Sequence, residues 1–383
     1  HTGAFRGGRK GGLIRMSEEG FFWGDSQVPE ELFPKTAIVC LSSNHGGMEF
    51  DAKILARRLS MWSESCLLVV RRGAWLEAVA REESLPYVSI SMSYNFSIFG
   101  IFKIRRVLRS RGIRLLVYFG SSEMRSLRFC LNDSIDRFVV RHGTPKSKKK
   151  TDFIHRFLWS KVTHHWTISE ALHRNVLELF PVKGKPVFIN YTGQGEKLDE
   201  LPMPRSLSYQ DDTLLIGQIA RVERVKGQFD TLSVLKKLRL SGINAKVVFY
   251  GDGRSLDDLK KAANAEGLLS DITFKGQVPK PYRHLDKQHV FLYPSYSEGF
   301  GNAFTEAISS GIHCLCYENT CFPEYRSLGF SYSMVPNGDI EALVDRAKEI
   351  WQTRERQPLE NREIANEVFS DRAEMVRLYR ALY

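Results

Sequence analysis

The sequence contains few cysteines and no apolar run of the length that crosses a bilayer. Its 383 residues include 6 cysteines, which sit mostly in apolar, strand-like segments. That distribution is typical of a protein kept in a reducing compartment and argues against a disulfide framework. Because we also find no secretory signal, we expect a cytoplasmic protein.

Internal repeats and low-complexity tracts are missing too, which argues against solenoids and propellers. The composition, 43% hydrophobic and 26% charged, is that of an ordinary globular chain. A chain of this length is long enough for two domains, each with its own core.

Two motifs that mark cofactor and metal sites are also absent. No GxGxxG follows the first predicted strand, and no Asp-x-Asp pair is present to hold a divalent ion. One group of residues could still be interpreted as metal ligands: His313, Cys314, Cys316 and Cys321. The segment that carries them has the pattern of a buried strand, whose alternate side chains point to opposite faces. We therefore expect no metal and no resident cofactor.

Basic residues exceed acidic ones and are unevenly distributed. The formal net charge is +11, and the first fifteen residues hold four basic and no acidic side chains. We interpret residues 1–34 as an N-terminal tail and strap, either native or left from expression. Between 103 and 114 stand six basic residues and no acidic one, beside the apolar run FSIFGIF. This segment is either an amphipathic helix on an anionic bilayer surface or a sheet-covering helix with a solvated basic face.

A second basic cluster follows the tripeptide RHG: Lys146, Lys148, Lys149 and Lys150. A lysine run is usually a solvated loop, and at the mouth of a cleft it would also attract an anionic acceptor. Basicity alone also suggests nucleic-acid binding. No recognisable nucleic-acid motif accompanies it, so we do not expect that partner.

Short apolar runs alternate with helical patterns along the whole chain. Examples are AIVCL at 37–41, LLIGQIA at 214–220 and VFLY at 290–293. This alternation predicts an α/β fold with parallel sheets covered by helices. A polar, proline-bearing stretch at 194–212 divides the chain and reads as a linker.

The stretch from Phe291 to Gly311 has the pattern strand, glycine turn, helix. Glu298 begins the turn, two glycines follow it, and Glu306 lies in the helix. A helix N-terminus presents free N–H groups and a positive dipole end, which suits a phosphate or a hydroxylated ligand. The two carboxylates would then accept hydrogen bonds from sugar hydroxyls. The alternative is a capped surface helix with a solvated Glu306.

This stretch resembles the donor-site signature of family 4 glycosyltransferases of the GT-B fold, in which seven residues separate two glutamates and glycines follow the first. The resemblance implies two Rossmann-like domains that face a central cleft, with a C-terminal helix crossing back to the first domain. The expected segments are a tail at 1–34, an acceptor domain at 35–193, a linker at 194–212, a nucleotide-sugar domain at 213–360 and the returning helix at 361–383.

The resemblance also implies roles for individual residues. Arg221 and Lys226 match an Arg, four residues, Lys-Gly pattern, and would face the diphosphate of the donor; alternatively, they are exposed bases on a loop. Placed cations stabilise the negative charge of a departing nucleoside diphosphate. Glu298 would bind the donor sugar and Glu306 the ribose. His142 matches a histidine of the family by its position and by the dipeptide His-Gly.

We therefore name two groups of candidate site residues. The catalytic candidates are Glu298, Arg221, Lys226 and His142. The donor-binding candidates are Glu306, Gly299, Phe300, Gly301, Asn302, Gly251, Gln277, Val278, Gly46 and Gly47. Glycines such as Gly46 and Gly47 are equally compatible with a plain tight turn.

The expected function is retaining, metal-independent transfer of a sugar from a UDP- or GDP-linked donor to a glycan or lipid-linked, anionic acceptor. The expected setting is cell-surface polysaccharide or lipopolysaccharide synthesis at the inner face of the cytoplasmic membrane. A catalytically inactive sugar-nucleotide-binding module, recruited to a membrane or complex, is the alternative. Phosphorolysis and sugar epimerisation also remain open. The donor sugar, the base, the acceptor and the oligomeric state are not fixed by the sequence.

Overall fold

The computed structural model describes residues 33–44, 46–92, 97–120 and 122–383. Nearly all of the predicted tail and strap therefore lies outside the described residues. The chain forms two compact units. Among the described residues, the first consists of those up to Val140, of Phe153–His165 and of Pro181–Phe188, and the second of Arg141–Asp152, Trp166–Phe180 and Ile189–Tyr383.

In the part of the chain that the structure describes, seven strands form the first sheet, in the order β3-β2-β1-β4-β5-β6-β7. They are β1 (Thr36–Cys40), β2 (Cys66–Arg71), β3 (Tyr87–Ile90), β4 (Leu115–Phe119), β5 (Arg137–His142), β6 (His164–Thr167) and β7 (Val187–Ile189). β1 runs parallel to β2 and β4, with Ile38 opposite Leu68 on one side and Val117 on the other. Every residue of β1 and β4 is buried, which explains why both read as continuous apolar runs.

Six helices of the described residues accompany these strands. They are α1 (Gly47–Trp62), α2 (Trp75–Glu82), α3 (Ile98–Ser110), α4 (Met124–Cys130), α5 (Phe153–Trp159) and α6 (Glu170–Leu179). Serine caps fix the start of two of them. The side chain of Ser97 accepts a hydrogen bond from Gly100 N in α3, and that of Ser169 accepts one from Leu172 N in α6.

Six strands form the second sheet, in the order β10-β9-β8-β11-β12-β13. They are β8 (Leu214–Ile219), β9 (Ala245–Tyr250), β10 (Ile272–Phe274), β11 (Val290–Tyr293), β12 (His313–Tyr317) and β13 (Ser333–Val335). β8 runs parallel to both neighbours, and Ile216 stands opposite Val247 in β9 and Val290 in β11. The chain first builds outward from β8 to β10 and then crosses to the other side of β8, so the strand order reverses between β8 and β11.

The remaining helices lie in the second unit. They are α7 (Gly195–Glu200), α8 (Gln228–Leu240), α9 (Leu256–Ala265), α10 (Asn302–Ser310), α11 (Phe322–Ser327), α12 (Ile340–Thr353), α13 (Asn361–Phe369) and α14 (Asp371–Leu382). Short 3-10 turns occupy Arg224–Lys226, Leu269–Asp271 and Pro281–Lys287. α7 lies inside the stretch that the sequence predicts as a linker, and it buries Leu198.

The C-terminal segment forms two helices instead of the single predicted one. Ser370 is extended, and its side chain accepts a hydrogen bond from Ala373 N, so this N-cap separates α13 from α14. α14 contacts the residue that follows β7. Asn190 Nδ2 donates to the carbonyl of Glu374 at 3.1 Å, and Arg377 Nε donates to Asn190 Oδ1 at 2.9 Å.

Apolar side chains from β8, β9, α8 and α12 form a continuous core on the second sheet, including Ile216, Val247, Leu235 and Ile350. This core fixes the strand ends from which the candidate site is built. Within the described residues, no helix is both long enough and apolar enough to cross a membrane.

Candidate active site

Most site candidates of the second unit follow the carboxyl ends of β8 and β11. These neighbouring strands are hydrogen-bonded in parallel, so both end at the same edge of the sheet. The strand order reverses between them. In open α/β sheets, the crevice outside the strand ends at such a reversal is where ligands bind.

Two helix N-termini start at this edge, and both have a glycine at the N-cap. Gly227 precedes α8 with φ 75°, and Gly301 precedes α10 with φ 68°. No described side chain caps either helix. The first hydrogen bonds of the helices come from Thr231 and Thr305, so the N–H groups before them have no helical carbonyl to bind. Two such termini side by side favour an anionic or hydroxylated ligand.

Glycine is required where the strand-end turns touch. A Cβ on Gly227 would lie 2.0 Å from the carbonyl oxygen of Pro294, and a Cβ on Gly251 would lie 2.0 Å from that of Ala220. Gly251 also has φ 134° and donates from its N–H to Gly276 O at 2.8 Å. The turns after β8, β9 and β11 therefore pack backbone to backbone, which leaves little room for side chains between them.

Glu298 is held by three donors on a single oxygen. Its Oε1 accepts from Lys226 Nζ at 2.7 Å, from Tyr293 Oη at 2.8 Å and from Ser295 Oγ at 2.9 Å. Burial raises the pKa of Tyr293 well above its usual value, and the nearby Glu298 adds to the rise, so the phenol stays a donor. No hydrogen bond from a described residue reaches Oε2. One oxygen of Glu298 is thus fixed and the other is available to a ligand.

The two predicted phosphate-binding cations differ in how tightly they are held. The side chain of Lys226 is 16% exposed and paired with Glu298, whereas that of Arg221 is 75% exposed and lies 3.5 Å from Glu223. The ammonium of Lys226 is therefore held in a fixed position. Arg221 stands at the end of β8 with its guanidinium in solvent, from where it can reach an incoming anion.

Glu306 lies in the second turn of α10 and has a partner that the sequence reasoning missed. Its Oε1 forms an ion pair with Lys197 Nζ of α7. Lys197 stands in the polar stretch predicted as a linker, and no sequence motif marks it. Only the packing of α7 against α10 identifies it.

His142 and Gly143 belong to the same compact unit as Glu298. A Cβ on Gly299 would lie 2.8 Å from the carbonyl of Gly143, so the two backbones are in contact there. Burial lowers the pKa of His142 to about 3, and Lys146 and Lys150 contribute to the lowering. His142 is therefore neutral at physiological pH and cannot act as a fixed cation.

The candidates next to Glu298 in the sequence differ in whether their side chain or only their backbone can face a ligand. Phe300 buries its ring against Tyr325 and Phe369, so only its backbone can face a ligand. Asn302 is half-buried at the first position of α10 and directly follows Gly301, and Gly299 directly precedes Phe300. These four residues are thus positioned to bind mainly through backbone amides.

Gln277 is exposed and Val278 half-buried. They directly follow Gly276, which pairs with Gly251 at the end of β9. This loop therefore begins at the same sheet edge as Lys226 and Glu298.

Gly46 and Gly47 are the two candidates in the first unit. Gly46 is the N-cap of α1 and Gly47 its first residue, and β1 is the strand that precedes this helix. Glu49 is buried in the first turn of this helix. The strand order of the first sheet reverses between β1 and β4, so these glycines lie at its own reversal point.

The structure gives no support to a metal cluster around β12. In the described part of the chain, no three His, Cys, Asp or Glu side chains are grouped as metal ligands would be. Cys314 and Cys316 are buried within β12, and burial raises the pKa of both thiols well above the usual value. Such thiols are poor ligands because a metal binds the thiolate.

Comparison with known proteins finds a family model and relatives that match the second half of the chain. Residues 202–366 match the family model described as glycosyl transferases group 1. The glycosyltransferase EpsF of Bacillus subtilis is 30% identical over 125 residues, which are 33% of this chain and 32% of EpsF. The capsular polysaccharide biosynthesis glycosyltransferase CapH of Staphylococcus aureus is 27% identical over 199 residues, 48% of this chain and 52% of CapH. The alignments thus span between a third and about half of the length of these relatives.

Structural similarity extends over nearly the whole chain. The crystal structure of Anabaena HepE in complex with UDP superimposes with a TM-score of 0.75 and 13% identity, covering 91% of this chain and 99% of that one. At this identity the likeness concerns the fold, which is that of the GT-B glycosyltransferases. Residues 202–366 are thus similar to the group 1 glycosyltransferases, and the chain has the GT-B fold.

Proposed function

We propose that the protein is a retaining, metal-independent hexosyltransferase that uses a nucleotide-linked sugar, with UDP the first choice of nucleotide. The acceptor is a glycan or a lipid-linked saccharide in cell-surface polysaccharide synthesis. The observation that carries the proposal is the Lys226–Glu298 pair at 2.7 Å, set between two helix N-termini that no described side chain caps. The UDP complex of HepE and the name of CapH support the choice of donor and of pathway class.

In this proposal no metal ion is required, because side-chain cations of the site take its role. Lys226 and Arg221 would compensate the charge that develops on the diphosphate when the sugar leaves. The amides at the starts of α8 and α10 would add donors to the phosphate oxygens. We place these protein groups where another transferase would use a divalent ion.

The two glutamates would orient the donor. Oε2 of Glu298 would accept hydrogen bonds from sugar hydroxyls, and Glu306 would accept them from the ribose. Gly251 and the loop at Gln277 and Val278 would meet the base through backbone groups. Holding the donor in one orientation is itself a large part of the catalysis of a two-substrate transfer.

In the transfer step, the bond between the anomeric carbon and the phosphate oxygen breaks as the acceptor oxygen bonds to the same carbon. The departing phosphate takes the proton of the acceptor hydroxyl, so the step needs no additional base and retains the anomeric configuration. His142, neutral and buried, would contribute a hydrogen bond to the sugar rather than charge.

An exposed aromatic and basic surface on the first unit supports a membrane-bound acceptor. We call it the α3/α5 surface. It consists of Ile98, Phe99, Phe102, Arg105, Arg106 and Arg109 of α3 and of Phe153 and Ile154 of α5. Phe99 is 89% and Phe153 84% exposed. α4 packs against both helices, and Phe102 and the three arginines line one open groove. Aromatic and aliphatic side chains beside arginines fit the interface of an anionic bilayer.

A nucleotide panel tests the proposed function. A ligand that binds only the folded protein raises its melting temperature, so UDP, GDP, ADP and CMP are compared, with and without an attached sugar. We expect one nucleoside diphosphate, UDP first, to raise the melting temperature of the wild type in EDTA, and Glu306→Ala to lose most of the shift. If no nucleotide shifts the wild type, or if binding requires a divalent ion, the proposal is wrong.

A further inference from the structure

The short helix α7 is anchored at both of its ends. Before it, Gln194 N donates to Phe369 O at 2.6 Å, and Gly195 N donates to Asp371 Oδ1 at 2.8 Å. At its other end, Glu200 takes part in a second set of contacts. A six-residue helix would not be stable alone, so these contacts fix its position.

The second anchor joins α7 to the 3-10 turn at Pro281–Lys287. Glu200 accepts hydrogen bonds from Lys280 Nζ at 2.6 Å and from Tyr282 Oη at 2.6 Å, and Arg283 pairs with it at 2.7 Å. The hydrogen bonds of Arg283, Lys280 and Tyr282 lower the pKa of Glu200 to about 2. This carboxylate is therefore charged at any physiological pH and keeps α7 next to the turn.

From this anchored helix, Lys197 reaches Glu306. The Lys197 side chain is 29% exposed and that of Glu306 only 7%. The ammonium also lies 5.8 Å from the centroid of the Tyr282 ring, which is itself fixed by Glu200. Lys197 is thus enclosed by an anion and an aromatic face, and its position is determined by α7, α10 and the 3-10 turn together.

The ion pair leaves Glu306 with one open oxygen. Oε1 is occupied by Lys197. Oε2 has no partner among the described residues, and it is not one of the fully buried atoms. Since the rest of the carboxylate is buried, a ligand can approach it only at Oε2.

We propose that Lys197 is a positioning residue for the recognition of the nucleoside. By holding Oε1, it compensates the charge of the buried Glu306 and orients Oε2 toward the ribose hydroxyls of the donor. The inference rests on the proposed function, because it assigns a second residue to the same donor site. Burying a carboxylate without a cation costs free energy, and such a carboxylate is free to rotate. Removing Lys197 would therefore weaken the contact of Glu306 with the ribose.

Two ligands separate this role from a structural one. UDP carries the ribose hydroxyls, and 2′,3′-dideoxy-UDP has the same base and diphosphate without them. We expect isothermal calorimetry to show that the wild type binds UDP more tightly than the dideoxy compound. Lys197→Met should lose about tenfold in affinity for UDP, the worth of one charge-assisted hydrogen bond, and little for the dideoxy compound. Lys197→Arg, which keeps the cation, should restore most of the preference.

Lys237→Met is the matched control, because Lys237 pairs with Glu341 on the surface, at α12. It should leave both affinities unchanged. Equal losses for both ligands in Lys197→Met would assign Lys197 a structural role and overturn the inference. An unchanged preference in Lys197→Met would overturn it as well. A wild type that binds UDP without preferring it to the dideoxy compound would also overturn it. A wild type that binds neither of them, and no other nucleotide of the panel, would remove the proposed function itself.

Discussion

The Nζ of Lys226 lies 2.7 Å from Oε1 of Glu298, and this contact joins the ends of two neighbouring parallel strands. The lysine follows β8 and the glutamate follows β11. A cation and an anion in contact, each partly open to a ligand, can bind a sugar phosphate from both of its ends. The phosphate would meet the lysine and the hydroxyls would meet the glutamate.

Removing the lysine should therefore weaken nucleotide binding. We expect Lys226→Met to lose about tenfold or more in affinity for UDP, because the diphosphate loses a charge-assisted contact. Isothermal calorimetry measures it, with Lys237→Met as the surface control. Glu298 keeps Tyr293 and Ser295 as donors, so the variant should remain folded. Unchanged UDP affinity would exclude Lys226 from the diphosphate site.

A methyl group at Gly227 should strongly destabilise the fold. Its Cβ would lie 2.0 Å from the carbonyl of Pro294, and φ is 75°. Gly242 provides a matched control, because it has φ 80° and no atom within 4 Å of the added Cβ. We expect Gly242→Ala to lose about 1 kcal/mol of unfolding free energy and Gly227→Ala about 3 kcal/mol or more in urea titrations. Equal losses would show that the contact with Pro294 can relax.

Glu324 should make the stability depend on pH. Burial raises the pKa of Glu324 to about 8, even though its Oε2 accepts a hydrogen bond from Glu170 N at 2.8 Å. Between the ordinary glutamate value and pH 8, the folded protein keeps a proton that the unfolded chain has released. The contribution of this group to stability therefore falls as pH rises through that interval.

The variant Glu324→Gln keeps the acceptor and the volume but cannot titrate. We expect the melting temperature of the wild type to fall relative to that of Glu324→Gln as the pH is raised from 5 toward 8. Parallel curves for the two proteins over this range would show that Glu324 does not titrate there.

The α3/α5 surface should bind anionic bilayers. We expect the wild type to float with vesicles that contain phosphatidylglycerol, less so at high salt, and not with pure phosphatidylcholine, because salt screens the arginines. The variant Phe99→Ser/Phe153→Ser should lose flotation. Leu240→Ser removes another exposed side chain, on α8 of the second unit, and should not. Equal flotation of all three proteins would show that α3 only covers its sheet and has a solvated outer face.

The alternating apolar runs made the fold predictable from the sequence. β1 and β8 were recognisable as strands because each is almost entirely buried and apolar. The glycine turns that follow them mark where the strands end. The prediction of two parallel sheets with a GT-B fold is confirmed by the strand orders and the structural neighbours. The break at Ser370 was not predicted, because both flanking segments have the same helical pattern.

Candidates for the site could be named from the sequence only where a local motif marks them. Glu298 and Glu306 share one turn and helix, so their spacing was informative. Lys197 is more than one hundred residues from Glu306, and a lysine in a polar stretch has no pattern that singles it out. Its proposed role depends on how α7 packs, which local sequence does not encode. The predicted roles of Arg221, Lys226 and His142 stay predictions until they are measured.

The most direct test of the whole account is a transfer assay in EDTA. Labelled UDP-sugars are incubated with lipid and glycan extracts and with the wild type or Glu298→Gln. We predict that the wild type moves label from one UDP-sugar into the extract with the anomeric configuration retained, and that Glu298→Gln loses at least about a hundredfold in rate. Donor binding without any transfer by the wild type would favour an inactive binding module. Transfer at the same rate by both proteins would contradict the site described above.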